Sequence, residues 1–173
     1  MQLQDFYLLK FISSASKIEG RKRLQKLIYL MKYIGFPIEA RFSMHYYGPY
    51  SADLAVQIDH LVNRNLIKED SSIGYSYELT QEGKKILNEV EKNPSNREYV
   101  NFISPWTTRF NSFYKERVPD LEIASTILFW IEWGKSNKDA VRTTVNQKGR
   151  PNSSAIRIAN RAIELKKALS SQN

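Results

Sequence analysis

The sequence has no cysteine, two histidines and, across 173 residues, only seven glycines and six prolines. The absence of cysteine removes disulfides, thiol catalysis and thiolate zinc sites together. The two histidines, His45 and His60, have no Asp/Glu cluster at ligand spacing beside them, so no metal site is expected. The modest Gly and Pro content excludes collagen-like and low-complexity chains. No stretch approaches ~18 uninterrupted apolar residues, so neither a membrane span nor a membrane partner is expected. The first residues, MQLQDFYLLKFISS, place Asp5 ahead of the apolar stretch with no basic leader, so no secretory signal is expected and a cytoplasmic location is the default. No nucleophile elbow, phosphate-cradling glycine loop or HExxH is present, and the acid pairs Glu89/Glu91 and Glu69/Asp70 read as solvated charges. The sequence therefore assigns no catalytic residue and no cofactor, and a non-enzymatic protein is expected.

What is abundant is apolar residues at 42% and a net charge of +8 with a pI near 9.6. The apolar content is that of a chain with a real core. The charge is uneven. Residues 1–92 carry 13 basic and 11 acidic side chains, whereas residues 134–173 carry nine basic against Asp139 and Glu164, for +7. Such an excess attracts polyanions through Coulomb steering and counterion release. Nucleic acid, DNA above all, is the commonest such partner; an acidic protein or a merely solvated face fits as well.

Periodicity divides the chain into helices with one β-hairpin. Phe6, Leu9, Ile12 and Ala15 predict a helix over 4–16. Leu24, Leu27, Ile28, Met31 and Ile34 predict a second over 21–34, with Lys22, Arg23, Lys26 and Lys32 on a basic outer side and Gly35 and Pro37 as its stop. Residues 42–47 are β-prone, and Gly48-Pro49 is the expected turn. Ser51 and Asp53 suit the start of a helix through Asn65, with Leu54, Ile58, Leu61 and Val62 as its apolar stripe. A strand at 66–68, a tip at 70–74 and a return strand at 75–79 follow, and Thr80 can cap a helix carrying Ile86, Leu87 and Val90. Lys92–Asn96 is the best linker. The aromatic run 99–114 is expected to pack between two halves, and helices are predicted over about 121–133, 138–147 and 152–169. Trp130 and Trp133, with Phe129, read as core.

The order helix, helix, helix, hairpin, helix over 4–92, with YELTQEGKKIL (Tyr77–Leu87) leading from strand into capped helix, resembles winged-helix regulators related to multiple-antibiotic-resistance and phenolic-acid repressors. The resemblance implies that the helix Ser51–Asn65 occupies the recognition position and Asp70–Tyr75 the wing tip. A second resemblance lies in GRKRLQKLIYLMKYIG (Gly20–Gly35) followed by YYGPYSADL (Tyr46–Leu54). This is similar to an uncharacterised prokaryotic family of the YwgA type and, more distantly, to the Panacea domain of toxin–antitoxin systems. These resemblances imply a helical, partly winged-helix fold, and the Panacea likeness implies action through protein contacts.

The expected class is thus mainly α with a small β-hairpin. It comprises a winged helix-turn-helix part at 1–92, an aromatic linker segment at 93–120 and a basic helical region at 121–173 packed on the first. The expected function is that of a non-enzymatic nucleic-acid-binding or regulatory protein, a winged-helix DNA binder above all, with transcription regulation as its setting; an antitoxin-like or defence-system protein-interaction module is the alternative, and a homodimer is compatible with either. Candidate nucleic-acid contacts are Gln57, His60, Asn63 and Arg64 on the recognition helix, Ser71 and Ser72 on the wing, and Arg150, Arg157 and Arg161 near the C-terminus, residue types suited to base edges and phosphates. Asp53 and Asp59 bring the recognition helix to about −1, a poor match to a polyanion. Tyr46, Tyr47, Gly48, Pro49 and Tyr50 form a motif turn whose rings either rim a pocket or, as expected here, pack over neighbouring helices.

Overall fold

The computed structural model describes residues 2–72 and 74–171; Ile73, part of the expected wing tip, lies outside the described residues. The elements in chain order are α1 (Leu3–Ser14), β1 (Ile18–Glu19), α2 (Arg21–Ile34), β2 (Ser43–His45), β3 (Gly48–Tyr50), α3 (Ala52–Asn63), β4 (Ile67–Asp70), β5 (Ser76–Leu79), α4 (Gln81–Lys92), a 3-10 turn (Pro94–Asn96), α5 (Arg97–Tyr114), α6 (Val118–Glu132), α7 (Asn137–Lys148) and α8 (Ser153–Ser170). The chain is mainly helical with small antiparallel sheets. Among the described residues, no helix is long and apolar enough to cross a membrane.

Two compact units interleave along the chain. The first comprises Met1–Leu24, Glu39–Arg41 and Ala52–Lys115; the second comprises Gln25–Ile38, Phe42–Ser51 and Glu116–Asn173. The sequence suggested consecutive pieces at 1–92, 93–120 and 121–173. The observed division differs because β3 packs against α6, which draws the Tyr46–Tyr50 motif in with the C-terminal helices.

In the first unit α1 is buried on most sides, from Asp5 to Leu9 and at Phe11 and Ile12. It contacts α4, α5 and β5. The sheet runs β1–β5–β4, all antiparallel, with Ile18 opposite Tyr77 and Ile67 opposite Leu79. Thr80 caps α4 as expected, its hydroxyl accepting from the Gly83 N–H at 2.9 Å. Gly83 has a packing reason: a Cβ there would lie 2.0 Å from the Leu66 carbonyl oxygen, so only glycine lets α4 approach so closely. The aromatic run is no linker. It is α5, with Ile103, Trp106, Phe110 and Phe113 buried at helical spacing and Phe110 stacked on Phe11 at 4.8 Å.

In the second unit α6 is the hub, packing α7, α8 and β3 through a face that includes Leu121, Ala124, Ile127 and Leu128. Asn152 Nδ2 donates to the buried Asp120 at 2.6 Å, and the Asn152 side chain also caps α8. α2 has the predicted limits, but the basic outer side fails at Lys26. That residue is only 2% exposed, because the helix is buried from Leu24 through Met31 and again at Tyr33 and Ile34. The β2–β3 hairpin also differs from expectation. Its turn is Tyr46–Tyr47, and Gly48-Pro49-Tyr50 forms the return strand, with His45 opposite Gly48. Gly48 supplies the left-handed backbone, φ +80°, that such a tight turn requires of the next residue.

Candidate functional site

The α3 residues proposed from sequence do not share one fate. Asp5, 2% exposed on α1, accepts from Gln57 Nε2 at 3.4 Å and from Arg64 Nη1 at 3.3 Å. A buried carboxylate needs such partners, and it draws both side chains to it. Asp53 is held by Arg41, Nε to Oδ2 at 3.0 Å, and the hydrogen bond to that guanidinium holds the Asp53 carboxyl below its usual range. What α3 leaves exposed is Ala52, Val56, Asp59, His60 and Asn63, one continuous stripe at helical spacing. It contains no lysine or arginine and one carboxylate.

The β4–β5 tip, expected from sequence to be a wing, is similarly bonded within itself. Ser71 and Ser72 are exposed, and Ser72 donates to Asp70 Oδ1 from its N–H at 2.9 Å and its hydroxyl at 2.6 Å. The hydroxyl bond, then the N–H bond, keep the Asp70 carboxyl below its ordinary range. Arg21 pairs with Glu69 at 2.8 Å and lies 3.7 Å over the Tyr75 ring. A carboxylate and a paired guanidinium thus sit where phosphates would need unopposed cations.

The motif turn in the second unit is different in kind. Its backbone is clamped from two sides. The buried Lys26 ammonium donates to the Pro49 carbonyl at 2.5 Å. Lys148 donates to the Tyr46 carbonyl and pairs with Glu122 at 2.8 Å. Gly48 rests on α6: a Cβ would lie 2.7 Å from Thr126 Oγ1, whose hydroxyl donates to the Glu122 carbonyl. The rings are left outside. Tyr46 is 83% and Tyr47 48% exposed, packed edge to face at 4.8 Å, with Lys148 Nζ at 5.3 and 5.8 Å from the two ring centres. Met44, His45, Tyr46, Tyr47, Glu122, Gln147 and Lys148 line an open cleft of about 560 Å³. The rings therefore rim a pocket instead of packing over helices. Tyr50 is half-buried and packs against the exposed His45, ring centres 5.0 Å apart.

Of the C-terminal arginines Arg150, Arg157 and Arg161, all exposed, Arg157 pairs with Glu116 at 2.8 Å. Trp130 donates to Gln147 Oε1 at 3.0 Å; Phe129 is buried as expected, but Trp133 is 70% exposed and stacks on it at 5.6 Å. The end of α6 therefore carries its last tryptophan out of the core.

Sequence reasoning missed Lys26, Glu122, Gln147, Lys148 and the exposure of Trp133. Lys26 carried one legible signal, since it sits one residue from Leu27 on a helix whose apolar positions already cover most of its circumference. Lys148 and Glu122 carried none, because their pairing joins two helices 26 residues apart in the chain.

No family model matches the chain. It is similar to the uncharacterized protein YwgA of Bacillus subtilis (strain 168), 33% identical over 129 residues that cover 71% of this chain and 72% of the relative.

Proposed function

The chain belongs to the YwgA family, and from that premise we propose a non-enzymatic nucleic-acid-binding protein whose phosphate contacts come from the second unit. The distribution of charge carries this reading. The second unit holds twelve Lys/Arg against six Asp/Glu, for +6, whereas the first holds fourteen against twelve, for +2. Within the second unit Arg142, Lys148, Arg157 and Lys166 sit in ion pairs, and Arg117, Lys135, Lys138, Arg150, Arg161 and Lys167 are exposed besides. Exposed cations of one sign are the electrostatic footprint of phosphate binding. The winged-helix reading of the first unit is supported by its strand order, β1–β5–β4, with β1 between α1 and α2 in sequence. In this proposal that unit is a scaffold, because Gln57 and Arg64 on α3 are engaged by Asp5.

The test is binding of a labelled mixed-sequence 20-mer across a salt series. Affinity is expected to fall steeply with salt, and Arg150→Ala/Arg161→Ala to weaken it for every sequence and flatten the salt slope by about two. Arg157→Ala, which removes a side chain already paired with Glu116, is expected to do less. No binding at ~50 mM salt overturns the proposal.

A second reading, a protein-interaction module, is favoured by the α3 stripe, where Val56 is 67% exposed beside Asp59 and His60. The Panacea resemblance agrees with it. Under that reading the 20-mer does not bind, and a photocrosslinker at Val56 yields one discrete protein adduct in cells that Asp59→Lys abolishes.

A further inference from the structure

We propose that the cleft at the Tyr46–Tyr47 tip is a stacking site for unpaired bases of single-stranded nucleic acid. The inference deepens the reading above and rests on it.

Two exposed aromatic rings at a hairpin tip are costly to display unless something covers them, and this tip is built to display them. Lys26 fixes the Pro49 carbonyl, Lys148 fixes the Tyr46 carbonyl, and Gly48 is seated on Thr126. The polar groups hold the backbone, so the hairpin that carries the rings has little backbone freedom left to lose on binding. A ring face in this position accepts a base only when that base is out of a duplex stack, and such stacking tolerates any sequence because every base has a π-face.

The floor of the cleft fits the edge of a base better than a phosphate. Glu122 and Lys148 neutralise one another at 2.8 Å, so no net positive charge remains there for an anion. Together with the Gln147 amide they line the cleft with an acceptor and donors of the kind that suit a Watson–Crick edge exposed only in a single strand. The cations for the backbone lie alongside: Arg150, two residues beyond Lys148, is exposed.

A second exposed ring is linked to the cleft by side-chain contacts. Gln147, in the cleft lining, accepts from Trp130; Trp130 packs edge-on against the buried Phe129 at 5.6 Å, and Phe129 stacks under the exposed Trp133. Lys135 lies 5.5 Å over Trp130. Exposed rings flanked by cations are the groups by which proteins hold a single strand.

The test compares one fluorescein-labelled 16-mer DNA sequence, as a single strand and as a duplex, at ~50 mM salt with the full chain. The single strand is expected to bind at least about tenfold tighter than the duplex. Tyr46→Ala/Tyr47→Ala is expected to erase that preference while leaving duplex affinity and its salt slope unchanged. Tyr46→Phe/Tyr47→Phe is expected to retain it, since the ring does the stacking. Trp133→Ala is expected to weaken single-strand binding several-fold, through a side chain outside the hairpin and so independent of whether the hairpin variant keeps its shape. Equal affinity for both forms, or a single-strand preference untouched by the Ala double variant and by Trp133→Ala, overturns the stacking site and leaves the parent reading intact. No binding to either form overturns both.

Discussion

α3 of the first unit and the β2–β3 hairpin of the second both carry residues of recognition type, yet they use their polar side chains in opposite ways. On α3 and just beyond it a buried carboxylate, Asp5, engages Gln57 and Arg64, and the helix is left with a face of Val56, Asp59, His60 and Asn63. On the hairpin, buried and half-buried lysines bind backbone carbonyls, and the aromatic rings are pushed outward. Charge thus serves structure in both places, and only at the hairpin are the aromatic rings what remains exposed. Residue type alone does not nominate a recognition surface; what matters is which groups the fold has already satisfied.

The contrast can be broken most forcefully at Gly48. Replacing it with Ala places a side chain at φ +80° and within 2.7 Å of the Thr126 hydroxyl. Left-handed strain and overpacking together are expected to cost about 2–4 kcal/mol, read in denaturant melts. If the tip is as rigid as its clamps imply, single-strand affinity falls with it. A loss below about 1 kcal/mol would mean that the hairpin yields easily and that the two regions differ less than argued.

A smaller effect is expected at Asp5. Asp5→Ala removes the acceptor for Gln57 and Arg64; because the Arg64 side chain is 40% exposed and can turn to water, the cost is about 1 kcal/mol. The released guanidinium then adds a cation to the α3 face, and duplex affinity at low salt is expected to rise about two- to fivefold. No rise, with stability lowered as expected, would show that α3 lies away from any bound nucleic acid.

The smallest effect concerns Tyr33 on α2. Burial, and then the nearby Glu132 carboxylate, push its phenol up to about 12. The folded state therefore holds this proton more tightly than the unfolded chain, whose tyrosines ionise near ~10. Its contribution is fully present below about pH 10 and is lost as pH rises from there toward 12. Tyr33→Phe should accordingly shrink the drop in thermal midpoint between pH 9.5 and 11.5 (roughly the window those values bracket). An unchanged drop would place the Tyr33 ring in water.

Much of the fold was legible because it is local. The spacing of Leu24, Leu27, Ile28, Met31 and Ile34 gave α2 its limits, and Thr80 marked the start of α4. The candidate site was legible only as a motif: Tyr46 to Tyr50 stood out, but the turn was read at Gly48-Pro49 and the rings were read as packed. The left-handed residue that closes this hairpin is Gly48, at φ +80°, and not Tyr46 or Tyr47, a placement that falls between two equally plausible turn signals in sequence.

By itself the sequence determined the helical class, the hairpin strands and the uneven charge. These follow from composition and from periodicities of 2 and 3.6 residues, which act over a few neighbours. Tertiary structure alone decided that Lys26 is buried, that Arg64 faces Asp5, that Lys148 meets Glu122 and that Trp133 stands in solvent. Each of these is settled by which distant group satisfies a charge or covers a ring once the chain has collapsed. A buried charge takes the partner that the packing brings within reach, and that choice is not written in the spacing of the residues themselves.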